Sequence, residues 1–91
     1  MSLHKKFSII VIASKSENDF SLLTKLKNKF FGHEIILSID SENELSIETL
    51  NEINLNINKL VKIPNSTRAK SLNVGALKAE NDYLWFLHID S

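Results

Sequence analysis

The sequence predicts an α/β fold in which a parallel sheet carries helices on both faces. Four short apolar segments, the first of them rich in β-branched residues, alternate with three longer segments whose apolar residues recur at helical spacing. The short segments carry apolar residues on both faces, which is typical of strands covered on both sides of a sheet. Because strands that alternate with helices form parallel sheets, the 91 residues are expected to fold as one domain of this class.

Each of the four apolar segments has the length of a single strand. The first spans residues 7–13, the second spans residues 34–39, and the third, residues 59–63, is stopped by Pro64. The fourth, residues 83–87, is the most hydrophobic. Basic residues ahead of the first segment also fit a short signal peptide, but the place of this segment in the strand–helix alternation favours a strand.

The three segments between the strands have the periodicity of amphipathic helices. The first of them carries Phe20, Leu23, Leu26 and Phe30. The second lies in an acidic block, residues 40–58. Apolar residues are interleaved with its carboxylates, which favours the solvated face of a helix over a cation site. Ser41 and Ser46 are the two candidates for the N-cap of this helix. The third spans residues 66–80. The whole pattern predicts a Rossmann-like half-sheet of about four parallel strands in three layers, within a single domain over residues 1–91.

Composition disfavours several classes of function. Eleven basic side chains balance eleven acidic ones, so a general electrostatic affinity for nucleic acid is not expected. Without cysteine there is no disulfide framework and no thiolate nucleophile, and the cytoplasm is the default location. The glycine-rich motifs of dinucleotide-binding domains and P-loop NTPases are absent, as is the serine elbow of α/β-hydrolases.

Polar residues follow every predicted strand, at the sheet edge where ligands of parallel α/β folds bind. Ser14 follows the first strand, Asp40 follows the second, and Arg68 begins the helix after the third. At a helix N-terminus, an arginine is placed to hold a phosphate with two hydrogen bonds; the alternative, which is favoured when Arg68 is taken alone, is an ordinary surface arginine. His88 and Asp90 follow the fourth strand. These five residues are the candidates for a ligand site.

Two details refine this site. Side chains alternate along a strand, so His88 and Asp90 point to the same side and can bind Mg²⁺ or Mn²⁺. The alternative is an aspartate that caps the next element and a histidine bonded to a backbone carbonyl. The predicted third helix contains Asn73 and Gly75, and a glycine inside a helix costs about 1 kcal/mol relative to alanine. Gly75 therefore indicates a close approach of this helix to the sheet or to a ligand.

The motif R-A-K-S-L-N-V-G-A begins at Arg68, and L-H-I-D-S follows the apolar fourth strand. By these two motifs, and by the places of its first two strands, almost the whole chain resembles the family 2 glycosyltransferases of GT-A fold, in the subgroup with L-H-x-D. By this resemblance, Asp90 matches the metal-binding carboxylate and His88 stands at the first aspartate of the D-x-D motif. Arg68, Asn73 and Gly75 would line the donor site. Asp40, after the second strand, lies where the family has the aspartate that holds the nucleobase, and Ser14 lies at the first-strand exit.

The resemblance implies the donor-binding N-terminal half of an enzyme that transfers sugar from a nucleotide-diphospho-sugar to an acceptor hydroxyl, with Mn²⁺ or Mg²⁺ as cofactor. Family members continue past the metal motif into the acceptor site and catalytic base, so this chain is expected to be truncated and inactive alone. The alternative is a non-catalytic nucleotide-binding or interaction module. The sequence leaves open whether the acceptor lies at the membrane periphery. The apolar fourth strand predicts self-association through its exposed surface.

Overall fold

The computed structural model describes residues 6–90 and confirms the predicted α/β alternation. The strands are β1 (Phe7–Ala13), β2 (Glu34–Asp40), β3 (Lys59–Ile63) and β4 (Tyr83–His88), and the helices are α1 (Ser21–Lys29), α2 (Ile47–Asn56) and α3 (Arg68–Lys78). Among residues 6–90, no helix has both the length and the apolar character needed to cross a membrane.

The four strands form one parallel sheet in the order β3-β2-β1-β4. β1 therefore lies in the interior and pairs along its length with β2 on one side and with β4 on the other. The chain moves outward from β1 to β2 and β3, and then crosses back to place β4 on the far side of β1. This order confirms a Rossmann-like half-sheet, with the carboxyl ends of all four strands at one edge.

The sheet is covered on both faces, as the continuous apolar character of the strands predicts. In β1, Ile9 and Val11 belong to the core under α1 and α2, whereas Ile10 and Ile12 belong to the core under α3. The helices contribute Leu23, Leu26 and Ile53 to the first core and Leu72 to the second. Alternate residues of one strand thus supply two separate hydrophobic cores.

The helix boundaries resolve the alternatives that the sequence leaves open. α2 begins after Ser46, whose Oγ accepts a hydrogen bond from the Thr49 N–H at 3.1 Å, so Ser41 is not the N-cap. α3 is shorter than residues 66–80, because Thr67 is its N-cap and accepts from the Lys70 N–H at 3.1 Å. Both helices begin at hydroxyl side chains that satisfy an N–H group of the first turn.

α3 packs closely on the sheet at Gly75. A Cβ atom at this position would lie 2.5 Å from Ile10 Cγ2 and 2.8 Å from Ser38 Oγ. Ile10 and Ser38 are both fully buried, and the Ser38 hydroxyl has no hydrogen-bond partner among the described residues. Of the two reasons for a helical glycine, close approach to the sheet is therefore the one that the structure provides.

A buried polar network closes the opposite edge of the sheet, where the strands begin. Glu34, at 8% exposure, accepts hydrogen bonds at Oε1 from the Ser8 hydroxyl (2.7 Å) and from the Glu80 N–H (2.9 Å). Lys59 Nζ lies 3.0 Å from its other oxygen. Desolvation raises the pKa of Glu34, but the bonds from Glu80, Ser8 and Lys59 outweigh it and lower the pKa below its usual value.

Gly75→Ala is expected to destabilise the protein by about 1 kcal/mol or more, because the strain of overpacking exceeds the gain in helix propensity. The free energy of unfolding in urea measures this. Asn73→Ala, at an exposed position of the same helix, is the matched control and should leave stability unchanged or slightly increased. Equal stability of Gly75→Ala and the parent chain would contradict the close packing of α3.

Glu34→Gln is expected to destabilise the protein by about 2 kcal/mol at neutral pH, since charge-assisted hydrogen bonds to a buried carboxylate are lost. Because the folded-state pKa is lowered, this contribution is present at neutral pH and is lost as the pH falls from the ordinary glutamate range through the lowered pKa. Urea unfolding of both proteins between neutral and acid pH measures the difference. Glu80→Gln, which removes an exposed partner of Lys59, should have a small effect. A difference that persists unchanged in acid would contradict this account.

Candidate functional site

The strand order creates a topological switch point between β1 and β4. The connection that leaves β1 runs to β2 on one side, and the connection that enters β4 comes from β3 across the sheet. In open α/β sheets, ligands bind in the crevice beyond the carboxyl ends of the two strands at such a point. Here those ends carry Ser14 and Glu17 after β1, and His88 and Asp90 at and after β4.

Three of these side chains meet at the switch point. His88 Nδ1 lies 2.5 Å from Asp90 Oδ1, and His88 Nε2 lies 3.9 Å from Glu17 Oε1. One ligand atom from each of Glu17, His88 and Asp90 lies within 4.8 Å of the other two. The predicted pair of His88 and Asp90 is therefore brought together, and Asp90 contacts the imidazole rather than only capping the next element.

Glu17 is the member of this cluster that sequence reasoning did not assign to the site. It lies in the loop after β1 and is partly buried, with Oε1 3.5 Å from the Ser14 hydroxyl. The sequence already places the polar residues after β1 at the same edge of the sheet as His88 and Asp90. Only the strand order shows that β1 and β4 are neighbours, so that Glu17 can reach His88. Two carboxylates and an imidazole form a donor set that suits Mg²⁺ or Mn²⁺ better than one carboxylate does.

Asn43, in the loop between β2 and α2, holds the Glu17 loop in place. Its Nδ2 donates to the Ser14 carbonyl at 2.9 Å and to the Glu17 carbonyl at 2.8 Å. The turn also contains a bond from the Glu17 N–H to the Ser14 carbonyl. A side chain from the neighbouring connection therefore fixes the backbone that presents Glu17 to His88.

A cavity of about 280 Å³ adjoins the cluster at the amino end of α3. Its polar lining comes from Ser14, Ser66, Thr67, Arg68, Ser71 and His88. Arg68 is exposed and forms no ion pair with a described residue, so its guanidinium is available to an anion. The partial positive charge of the helix N-terminus acts in the same direction. The predicted residues Ser14, Arg68 and His88 thus share one cavity.

Asp40 lies at the carboxyl end of β2, and its carboxylate bonds to groups of the same chain. Its carboxylate is 6% exposed and accepts hydrogen bonds from the Ser66 hydroxyl (2.5 Å), the Ser66 N–H (3.2 Å) and the Glu42 N–H (2.8 Å). The bond from the Ser66 side chain and the bond from the Glu42 N–H lower the pKa of Asp40, against desolvation. In this arrangement Asp40 fixes the loop that leads into α3, where Asn65 adopts a positive φ of 50°.

Two predicted donor-site residues lie away from the cavity. Asn73 is exposed in the middle of α3, and Gly75 is buried against the sheet. Neither lines the cavity at the start of the helix. The structure therefore brings Ser14, Arg68, His88 and Asp90 to the switch point, and leaves Asn73 and Gly75 farther along α3.

A larger cavity, of about 700 Å³, lies at the amino ends of the strands. Several of the polar groups that line it already bond to one another or to the backbone. Lys59 pairs with Glu34, the Asn58 side chain accepts from the Ile35 N–H, and His33 Nδ1 accepts from the Phe7 N–H. Because these groups are satisfied within the chain, the smaller cavity at the switch point is the better candidate for a ligand site.

Asp40→Asn is expected to release the loop that precedes α3. An asparagine can still accept from the Glu42 N–H, but its amide nitrogen cannot accept from the Ser66 N–H. The Ser66 amide should therefore exchange several-fold faster with solvent, relative to its intrinsic rate, while the Glu42 amide changes less. Native-state hydrogen exchange followed by NMR measures both.

Because the pKa of Asp40 is lowered, the same protection in the parent chain should persist as the pH falls through the ordinary carboxyl range, and disappear only at more acid pH. Ser41→Ala, at the exposed neighbouring position, is the control and should leave the Ser66 amide unchanged. Unchanged exchange of Ser66 in Asp40→Asn would contradict this role.

Comparison with known proteins adds no family to this description. No family model, curated protein or solved structure matches the chain. Its function is therefore argued from the geometry at the switch point and from the motifs of its own sequence.

Proposed function

We propose that this protein binds a nucleotide-diphospho-sugar at the β1–β4 switch point, with a divalent cation, as the donor-binding part of a glycosyltransferase. The observation that supports this most directly is the convergence of Glu17, His88 and Asp90, whose ligand atoms lie within 4.8 Å of one another. A diphosphate is the part of such a donor that requires a cation. The L-H-I-D-S motif, which carries two of the three residues, is one of the two motifs that carry the family resemblance.

The residues divide into two groups that act on the same diphosphate. Glu17, His88 and Asp90 would hold Mn²⁺ or Mg²⁺, which supplies positive charge to the phosphate oxygens. His88 and Asp90 lie side by side at the end of β4, with His88 Nδ1 2.5 Å from Asp90 Oδ1, and His88 Nε2 lies 3.9 Å from Glu17 Oε1. Arg68 and the N-terminus of α3 add positive charge on the other side of the His88 side chain.

The shape of the edge fits an elongated ligand with a charged centre. The cavity beside Arg68 has about 280 Å³, and a second cavity, lined by Glu17 and Asp90, has about 240 Å³. Each is smaller than the roughly 300–1,000 Å³ typical of small-molecule sites. A nucleotide-sugar would therefore extend across both, with its diphosphate at the three-residue cluster between them.

Sugar transfer to an acceptor hydroxyl is the activity that the resemblance suggests, and we assign no acceptor-activating base among residues 6–90. We also propose that the protein is cytoplasmic and that its acceptor lies at the membrane periphery. The alternative, a non-catalytic nucleotide-binding module, shares the diphosphate site but not the requirement for a sugar.

Calorimetric titration of the chain with uridine or guanosine diphosphate, with and without Mn²⁺, tests this function. Binding should require Mn²⁺, and Asp90→Ala or Glu17→Gln should each weaken it about tenfold or more, because each removes a charged oxygen from the cation site. Arg68→Gln should weaken nucleotide binding while leaving the affinity for Mn²⁺ alone unchanged. Glu52→Gln, an exposed carboxylate in the middle of α2, is the matched control and should have no effect.

Two results would contradict the proposed function. One is the absence of nucleotide binding with either cation. The other is binding that all of these variants leave unchanged. Cation-dependent binding of the nucleoside diphosphates with no further gain from the corresponding nucleotide-sugars would instead favour the non-catalytic module.

A further inference from the structure

β4 forms an open edge of the sheet. In the described part of the chain, no strand lies on the side of β4 away from β1. The Ile89 N–H donates to the Ile12 carbonyl, so in this parallel pair the backbone groups of residues 85, 87 and 89 face β1. The N–H and C=O groups of Leu84, Phe86 and His88 consequently face outward, because alternate residues of a strand direct these groups to opposite sides.

The side chains at this edge are apolar and partly uncovered on both faces of the sheet. Tyr83 and Trp85, at 53% and 49% exposure, lie on the face of α1 and α2, and Phe86, at 46%, lies on the face of α3. An apolar groove of about 490 Å³ is lined by Phe7, Phe30 and residues 83–85, and the Trp85 ring packs edge-to-face on the rings of Phe7 and Phe30. From Tyr83 to Leu87 the strand carries no charge, so two copies of it would not repel each other.

We propose that β4 pairs with β4 of a second copy of this chain, antiparallel about a two-fold axis perpendicular to the sheet. Such an axis keeps each side chain on its own face, and opposite residues of an antiparallel pair share a face. The pairing must therefore be centred on one residue. Centring it on Trp85 places Leu84 opposite Phe86 of the second copy, and these are the residues whose backbone groups face outward.

This register uses the whole strand. Leu84 and Phe86 of each copy exchange backbone hydrogen bonds, and Asp82 lies opposite His88 of the second copy at both ends. Trp85 forms a non-hydrogen-bonded pair with its own symmetry mate, beside the apolar groove. The result is one sheet of eight strands, in which the carboxyl edges of the two copies point in opposite directions. Pairing of this kind is independent of the function proposed for the switch point.

The exposed surface sets the strength of the association. Three half-exposed aromatic side chains supply roughly 300 Å² of surface per copy, given the 150–250 Å² that such a side chain buries. This is less than the roughly 800 Å² per partner of a stable interface. We therefore expect a reversible dimer that forms with increasing protein concentration rather than a permanent one.

Single-cysteine cross-linking tests the register, since the chain has no cysteine of its own. Trp85→Cys should form a disulfide-linked dimer under mild oxidation, because opposite Cα atoms of a non-hydrogen-bonded pair lie about 4.5 Å apart, within disulfide range. Phe86→Cys should cross-link much less, as its nearest neighbour in the second copy is Leu84. Leu77→Cys, on the exposed face of α3, measures cross-linking by random collision. Circular dichroism confirms that each variant is folded.

The native chain provides a second test. Trp85 is the only tryptophan, so its fluorescence should shift to shorter wavelength as sedimentation shows the dimer forming. Trp85→Lys places two like charges opposite each other and should abolish the dimer while the chain stays folded. A monomer at every concentration would overturn the pairing, and so would cross-linking that is stronger at Phe86→Cys than at Trp85→Cys.

Discussion

The burial of β1 on both faces is the constraint on which the rest of the structure depends. Ile9, Ile10 and Val11 have no exposed surface, so both faces of this strand must be covered and both of its edges must be paired. Helices on opposite sides of the sheet meet the first requirement, and the strand order β3-β2-β1-β4 meets the second. Parallel pairing through helical crossovers then brings all the carboxyl ends to one edge.

The two edges of the sheet have different roles as a result. At the amino edge, Glu34 lies in a network whose hydrogen-bonding groups are satisfied within the chain. At the carboxyl edge, Asn43 holds the backbone of the loop after β1, and Asp40 holds the backbone of the loop before α3. The side chains of Glu17, His88 and Arg68 remain available at this edge. Loops fixed by side chains behind the site are what a preorganised ligand site requires.

Local sequence was sufficient for the fold because the strands carry apolar residues on both faces and each helix has its own periodicity. It also predicted the proximity of His88 and Asp90, although Asp90 lies in the turn beyond β4 and not on the strand whose alternation was the basis of the prediction. The place of Glu17 could not be predicted in the same way, because it depends on β1 and β4 being neighbours. The choice between the two possible reasons for Gly75 depends on the positions of Ile10 and Ser38, which are distant in sequence. The role of Asp40 likewise depends on its hydrogen bonds with Ser66 and Glu42.

A paramagnetic NMR titration with Mn²⁺ tests the central claim, that the carboxyl edge between β1 and β4 is the cation site. His88 lies at this edge and His33 at the opposite one, so the two imidazoles report on the two ends of the same sheet. The ring resonances of His88 should broaden at low Mn²⁺ concentration while those of His33 remain sharp, and His88→Gln identifies the signals. Broadening of His33 to the same extent, or of neither ring, would contradict a cation site formed by Glu17, His88 and Asp90.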